Sequence, residues 1–170
     1  CGLSADCCIS PEIDYLKYRE DRLDKKYEYY FKHKNFISKN IFDNVHILNL
    51  SYCNYITDVS MLGSIYTLDI SNCKNIVDVS NLGSVHTLNI ASCDNIKNIS
   101  MLTGVQILNL GHMYKIKDIG HLKNLKKLIV NTKMSGIHLL SNLQTLHILF
   151  CYNIDIKISD SVKKLKKINK

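Results

Sequence analysis

Three thiols stand in a strict relation: Cys53, Cys73 and Cys93 recur every twenty residues, and Cys151 follows in a less regular stretch. A thiolate can serve as a nucleophile or a metal ligand, and two thiols can be oxidised to a disulfide. Each use demands its own arrangement. Zinc requires a close C-x2-C pair or a Cys/His set at characteristic spacing, and neither occurs. A disulfide between neighbouring copies is disfavoured, because in-register side chains point the same way. Catalysis needs one unique nucleophile beside one oriented base, which a periodic array does not supply. The seven histidines (His33, His46, His86, His112, His121, His138 and His147) form no H-E-x-x-H pair, and the chain has no phosphate-binding glycine loop and no G-x-S-x-G elbow. The recurring thiols are therefore read as small buried hydrophobes whose S–H donates weakly to loop carbonyls. The expectation is a protein without catalytic residues, metal ligands or cofactor.

A second series with the same period carries polar groups: Asn49, Asp69, Asn89 and Asn109, continued by Ile129 and His147. Asn and Asp are disfavoured in strands, so something must offset them. Two explanations stay open. One is a ladder of side-chain amides bonded up and down a stack of strands; the other is contact with a partner. A neighbouring series reads Tyr52, Asn72, Ser92, His112, Thr132 and Phe150, and its aromatic members would suit anchoring contacts. The candidate partner-binding residues are thus Asn49, Asp69, Asn89, Asn109 and His147, together with Tyr52, His112 and Phe150. If they face outward, arginine at Asp69 and Asn89 should change stability by no more than about 0.5 kcal/mol.

These residues must be positioned by a repeated element. Val45, Leu48, Leu50, Cys53, Ile56, Val59 and Leu62 are followed at an offset of twenty by Ile65, Leu68, Ile70, Cys73, Ile76, Val79 and Leu82, and the frame continues to Leu122. A further copy starts at Leu125, and the next arrives two residues early at Leu143. In Leu48-x-Leu50 the two apolar side chains share one face of a short strand. Stacked copies make a parallel sheet of six strands whose inner face is a continuous core. The segment from Ile56 to Ile65 is too short for an ordinary helix, so it should return as extended chain or a 3₁₀ turn. Asp58, Asp78 and Asp118 are placed to cap backbone N–H groups there, and Gly63 and Gly83 to serve the turn into the next strand.

The frame L-x-x-L-x-L-x-x-C-x-x-I resembles the leucine-rich repeat with Cys where Asn is usual, over about 125 of the 170 residues. Cys53 to Asp58 is similar to the cysteine-containing subclass found in F-box receptors of ubiquitin ligases, although those repeats are longer and carry a helix. The twenty-residue spacing is more similar to the short repeats of internalin-like proteins. The Asn/Ile/Lys-rich style also resembles repeat proteins of giant viruses, some with an N-terminal F-box. The resemblance implies a leucine-rich-repeat solenoid of α/β type, with the parallel sheet on its concave face and a binding surface there.

Ser10-Pro11-Glu12 could start a helix whose Leu16, Leu23, Tyr27, Tyr30 and Phe31 share a face. It would be either an N-terminal cap on the solenoid or a connector. The expected organisation is a disordered start at 1–11, a helical cap or connector at 12–44, and a solenoid at 45–170 with a Lys-rich terminal cap. The chain opens on Cys1, which suggests a fragment or a processed piece. The formal charge of +7 is uneven: residues 1–44 hold 8 basic and 8 acidic groups, 45–120 hold 4 and 5, and 121–170 hold 10 and 2. The run from Val162 to Lys170 reads as a further strand ending in charge. It could be a capping edge blunted by Lys, an import or acidic-partner patch, or a nucleic-acid or membrane contact.

No apolar run spans a membrane and no signal peptide is evident, so the expected setting is the reducing cytoplasm, that of a host cell included, with the nucleus as an alternative. The functional expectation is a non-enzymatic module that binds another protein on the concave face, with no small-molecule substrate and with nucleic acid and membrane disfavoured. The alternatives are the substrate-recognition part of an F-box receptor and a structural repeat protein without a specific ligand.

Overall fold

A computed structural model describes Phe42 and residues 45–130, 134–149 and 157–168. The proposed N-terminal helix and disordered start lie outside the described residues. Seven short strands form one parallel sheet in sequence order: β1 Ile47–Asn49, β2 Thr67–Asp69, β3 Thr87–Asn89, β4 Ile107–Asn109, β5 Lys127–Val130, β6 Thr145–Leu149 and β7 Lys164–Ile168. Register follows the repeat: Leu48 pairs with Leu68, Leu68 with Leu88 and Leu88 with Leu108. The offset shortens to eighteen between β5 and β6, where Leu128 meets Leu146, and becomes nineteen where Leu146 meets Leu165. The seventh strand fulfils the reading of the Lys-rich run as a strand start.

One coil shows how twenty residues close on themselves. Ile65, Leu68, Ile70, Cys73, Ile76, Val79 and Leu82 all point inward, each no more than 1% exposed. Beyond the strand these apolar residues are three apart. At several of these steps the backbone closes a tight turn: Cys73 N–H donates to Ile70 O at 3.3 Å, Leu82 N–H to Val79 O at 3.0 Å and Val85 N–H to Leu82 O at 3.1 Å. The chain thus bends inward at each hydrophobic residue, and a run of turns replaces a return helix. Ser60–Leu62, Ser80–Leu82 and Ile137–Leu139 are 3₁₀ turns.

Asp58 and Asp78 accept the N–H groups of Ser60 and Ser80, both at 2.9 Å, which is the capping expected of them. The expected role of Gly63 and Gly83 is corrected in its physical reason. Their φ angles are −65° and −62°, so no unusual conformation is needed. What excludes a side chain is the next coil: a Cβ on Gly63 would lie 2.3 Å from Asn81 O, and one on Gly83 would lie 2.3 Å from Met101 O.

At one end Phe42 is buried against the first coil and its carbonyl accepts Val45 N–H. At the other, Ile158 and Val162 pack partly against the core, while Leu165, in line with the inward leucines, is 45% exposed.

Candidate functional site

Three sequence positions per coil reach the outer face of the sheet: the residue before the strand and two alternate strand residues. Across β2 to β4 the first of these reads Tyr66, His86 and Gln106, and the second Thr67, Thr87 and Ile107. The third is the Asn/Asp series, whose first two members are enclosed rather than free surface. Asn49 and Asp69 are only 6% and 5% exposed. Each folds back on its own chain: Asn49 Oδ1 accepts Ser51 N–H, Asp69 Oδ1 accepts Ser71 N–H, Asn89 Oδ1 accepts Ala91 N–H and Asn109 Oδ1 accepts Gly111 N–H, at 2.9 to 3.2 Å. These side chains satisfy a donor that the turn leaving the strand would otherwise orphan.

The expected ladder exists at one rung of this series, where Asn89 Nδ2 donates to Asp69 Oδ2 at 2.8 Å. A different set of bonds, from side-chain amide to backbone carbonyl, links the coils on the return side. Asn75 donates to Asn54 O, Asn95 to Lys74 O, Asn124 to Thr103 O and Asn142 to Lys123 O, each reaching the preceding coil. Arginine at Asp69 is therefore a buried substitution that removes two hydrogen bonds, and the expectation of a neutral change is corrected.

The neighbouring series has a property that sequence reading missed. Tyr52, Asn72, Ser92 and His112 all adopt left-handed φ angles of 59° to 65°. Each follows the Asx-bonded residue in a turn closed by the next N–H, as where Cys53 N–H donates to Leu50 O. Positive φ at the third residue of such a turn is the type II pattern. Asn and His tolerate this region better than most residues, a usable signal, but Tyr52 gives no such hint. Tyr52 is 51% exposed, and His112 Nδ1 lies 3.1 Å from the hydroxyl of Tyr114, which is also exposed. Phe150 and Thr132 lie outside the described residues.

Of the remaining candidates, His147 is half-buried on β6. Burial pushes its pKa below the ordinary 6.5, and Lys127, Lys166 and Lys164 push the same way. The thiols sit as expected: Cys53, Cys73 and Cys93 are buried thiols, with Cys73 Sγ donating to Leu50 O at 3.1 Å and Cys93 Sγ to Ile70 O at 3.0 Å. Burial raises the Cys73 pKa and pushes that of Cys93 up to about 11, so both are protonated and poorly nucleophilic. Among the described residues no three His, Cys, Asp or Glu side chains group as a metal site.

The sheet face also brings together residues of different coils. Tyr66 and His86 stack at 4.4 Å with an interplanar angle of 10°, and Tyr66 is 53% exposed. Lys126, Lys127, Lys163, Lys164 and Lys166 join the same face further along.

The coil, its parallel register and its apolar frame decide the architecture. The fold is a leucine-rich-repeat solenoid. Among solved structures it is similar to an internalin, inlF, from Listeria monocytogenes str. 4b F2365, with a TM-score of 0.56 and 22% identity over 77% of this chain. The chain spans 50% of the length of that structure. It also matches internalin C2, inlC2, of the same organism, at a TM-score of 0.46 and 18% identity, covering 77% of this chain and 84% of that one. No protein-family profile matches the sequence, and no curated protein does. The short repeat of this solenoid, closed by turns in place of helices, is the feature the sequence likened to internalins.

Proposed function

We propose that the solenoid is a non-enzymatic protein-interaction module that takes its partner on the outer face of the sheet. The observation that carries this reading is the Tyr66–His86 stack. Parallel strands hold the two rings about one strand spacing apart, so the pair is rigid before any partner arrives. A half-exposed aromatic pair covers no core of its own, and rigid amphipathic rings are what interface anchors are commonly made of. Around it the face is mostly neutral: Thr67, Thr87 and Gln106 offer polar atoms and Ile107 an apolar edge. The inward residues keep the fold, while the outer position before each strand, Tyr66, His86 and then Gln106, differs from coil to coil, as a surface shaped for one partner requires. The protonated, enclosed thiols argue against Cys-dependent chemistry in the same coils.

The test is site-specific photo-crosslinking in cells that produce the protein, with the reactive group at position 66 or, as a comparison, at exposed Val77 on the return side. A protein captured from position 66 and not from 77, and lost from pull-downs by Tyr66→Ala, supports the reading. Tyr66→Ala should itself cost no more than about 1.5 kcal/mol of stability, the scale of one aromatic contact. Equal capture from both positions, or retention of the partner by a folded Tyr66→Ala protein, would refute it.

A further inference from the structure

The far half of the sheet face differs in charge from the Tyr66–His86 half. Over β5, β6 and β7 the outer positions are Lys126, Lys127 and Ile129, then Gln144, Thr145 and His147, then Lys163, Lys164 and Lys166. Five of these nine positions are lysine and none is acidic. None of the five ammonium groups forms an ion pair among the described residues. We propose that this half of the face is a docking surface for an acidic segment of another protein, one carrying Asp and Glu side chains in extended chain. The inference rests on the protein-interaction reading above and names the chemistry of the partner at its far end.

Protection of a sheet edge explains lysines on β7, since a charged edge strand resists further pairing. It does not explain Lys126 and Lys127. Those flank or occupy β5, which is paired on both sides, with β4 and with β6. Register makes the lysines one cluster. Lys127 stands opposite Thr145, which stands opposite Lys164, so the two lysines are two strands, or roughly 10 Å, apart. Lys164 and Lys166 are two residues apart on one strand, or about 7 Å, and alternate side chains of an extended peptide have that same spacing. His147 stands opposite Lys166 and beside Ile129, within the same cluster; burial lowers its pKa, and Lys127, Lys166 and Lys164 lower it further. Assembling like charges without counter-charges costs free energy that an acidic partner would recover.

The composition favours carboxylates over nucleic acid. No Phe, Tyr or Trp lies among these nine positions to stack a base, the one ring there being the half-buried His147, and no arginine is present for bidentate contact with phosphate or guanine. Lysine is a point charge that suits single carboxylate oxygens, while Gln144 and Thr145 can bond a peptide backbone.

The experiment titrates the whole chain with fluorescein-labelled decaglutamate, read by anisotropy, beside decathymidylate and phosphatidylserine vesicles. The variant Lys127→Gln, Lys164→Gln, Lys166→Gln should bind decaglutamate about tenfold more weakly or worse, three exposed pairs each contributing modestly. The variant Lys97→Gln, Lys115→Gln, Lys117→Gln, on the return side, loses the same net charge and should bind as the parent does. The His147 ring, followed by proton NMR, should titrate at higher pH once decaglutamate is bound. No binding of decaglutamate, equal weakening in both triple variants, an unmoved His147, or tighter binding of the oligonucleotide or the vesicles would overturn the proposal. If decaglutamate fails while Tyr66→Ala still releases a captured partner, only this inference falls.

Discussion

Replacing Asp69 by alanine tests whether the Asn/Asp series holds the coils together or simply lies on their surface. The carboxylate accepts Ser71 N–H at 2.9 Å and Asn89 Nδ2 at 2.8 Å, at a site 5% exposed. After truncation the Ser71 N–H is buried without an acceptor, which costs about 1–3 kcal/mol. The Asn89 amide, half-buried, can recover water, so its loss adds about 0.5–1 kcal/mol. The sum is about 1.5–4 kcal/mol. Asp69→Asn keeps an oxygen for Ser71 but sets a second amide N–H against Asn89, which can turn only by giving up its own bond to Ala91. It should cost about 1 kcal/mol. Urea unfolding followed by far-UV circular dichroism gives the order: alanine worst, asparagine intermediate, and Gln106→Ala, an outer position without a side-chain bond in this structure, near the parent. Should Asp69→Ala fall within about 0.5 kcal/mol of the parent, as surface changes do, the Asx turns would be dispensable and the reasoning wrong.

Gly63→Ala should destabilise by about 1–3 kcal/mol, because its Cβ would press on Asn81 O at 2.3 Å. Gly111→Ala, whose nearest neighbour would be 3.3 Å away, should be neutral or slightly stabilising; thermal melts of the pair decide whether close approach is what selects glycine. Iodoacetamide under native conditions should leave Cys73 and Cys93 unmodified by mass spectrometry, with modification only on unfolding. Because the Cys93 pKa is raised from 9.0 to about 11, the stability it contributes is full below pH 9.0 and is lost as pH rises toward 11, a loss that Cys93→Ala should remove from alkaline melts. His147 is depressed below 6.5, so the unfolded chain binds its proton more readily. Stability should therefore fall as pH drops through 6.5 and level off once the folded ring is also protonated, a step absent from His147→Gln in melts across that range.

The repeat alone makes the architecture legible. An apolar residue recurring at one offset must fall at one place in every coil, so Leu48, Leu68 and Leu88 had to stack, and the sheet had to be parallel and in register. The length of the return segment excluded a helix, and the enclosed thiols followed from their period. What sequence alone left open was the direction of the polar groups. Asn49 and Asp69 look like surface residues because Asn and Asp are usually exposed, yet the turn after each strand leaves an N–H that only a side chain two residues back can reach. Likewise Gly63 was explicable as a turn residue until the next coil's carbonyl was seen against it. The Tyr66–His86 stack and the lysine field around His147 join residues of successive coils on one face. Repeat spacing fixes which residues are stacked. Which of them meet, and which meet solvent, depends on how each coil turns and packs on the next, and only the tertiary structure decided that.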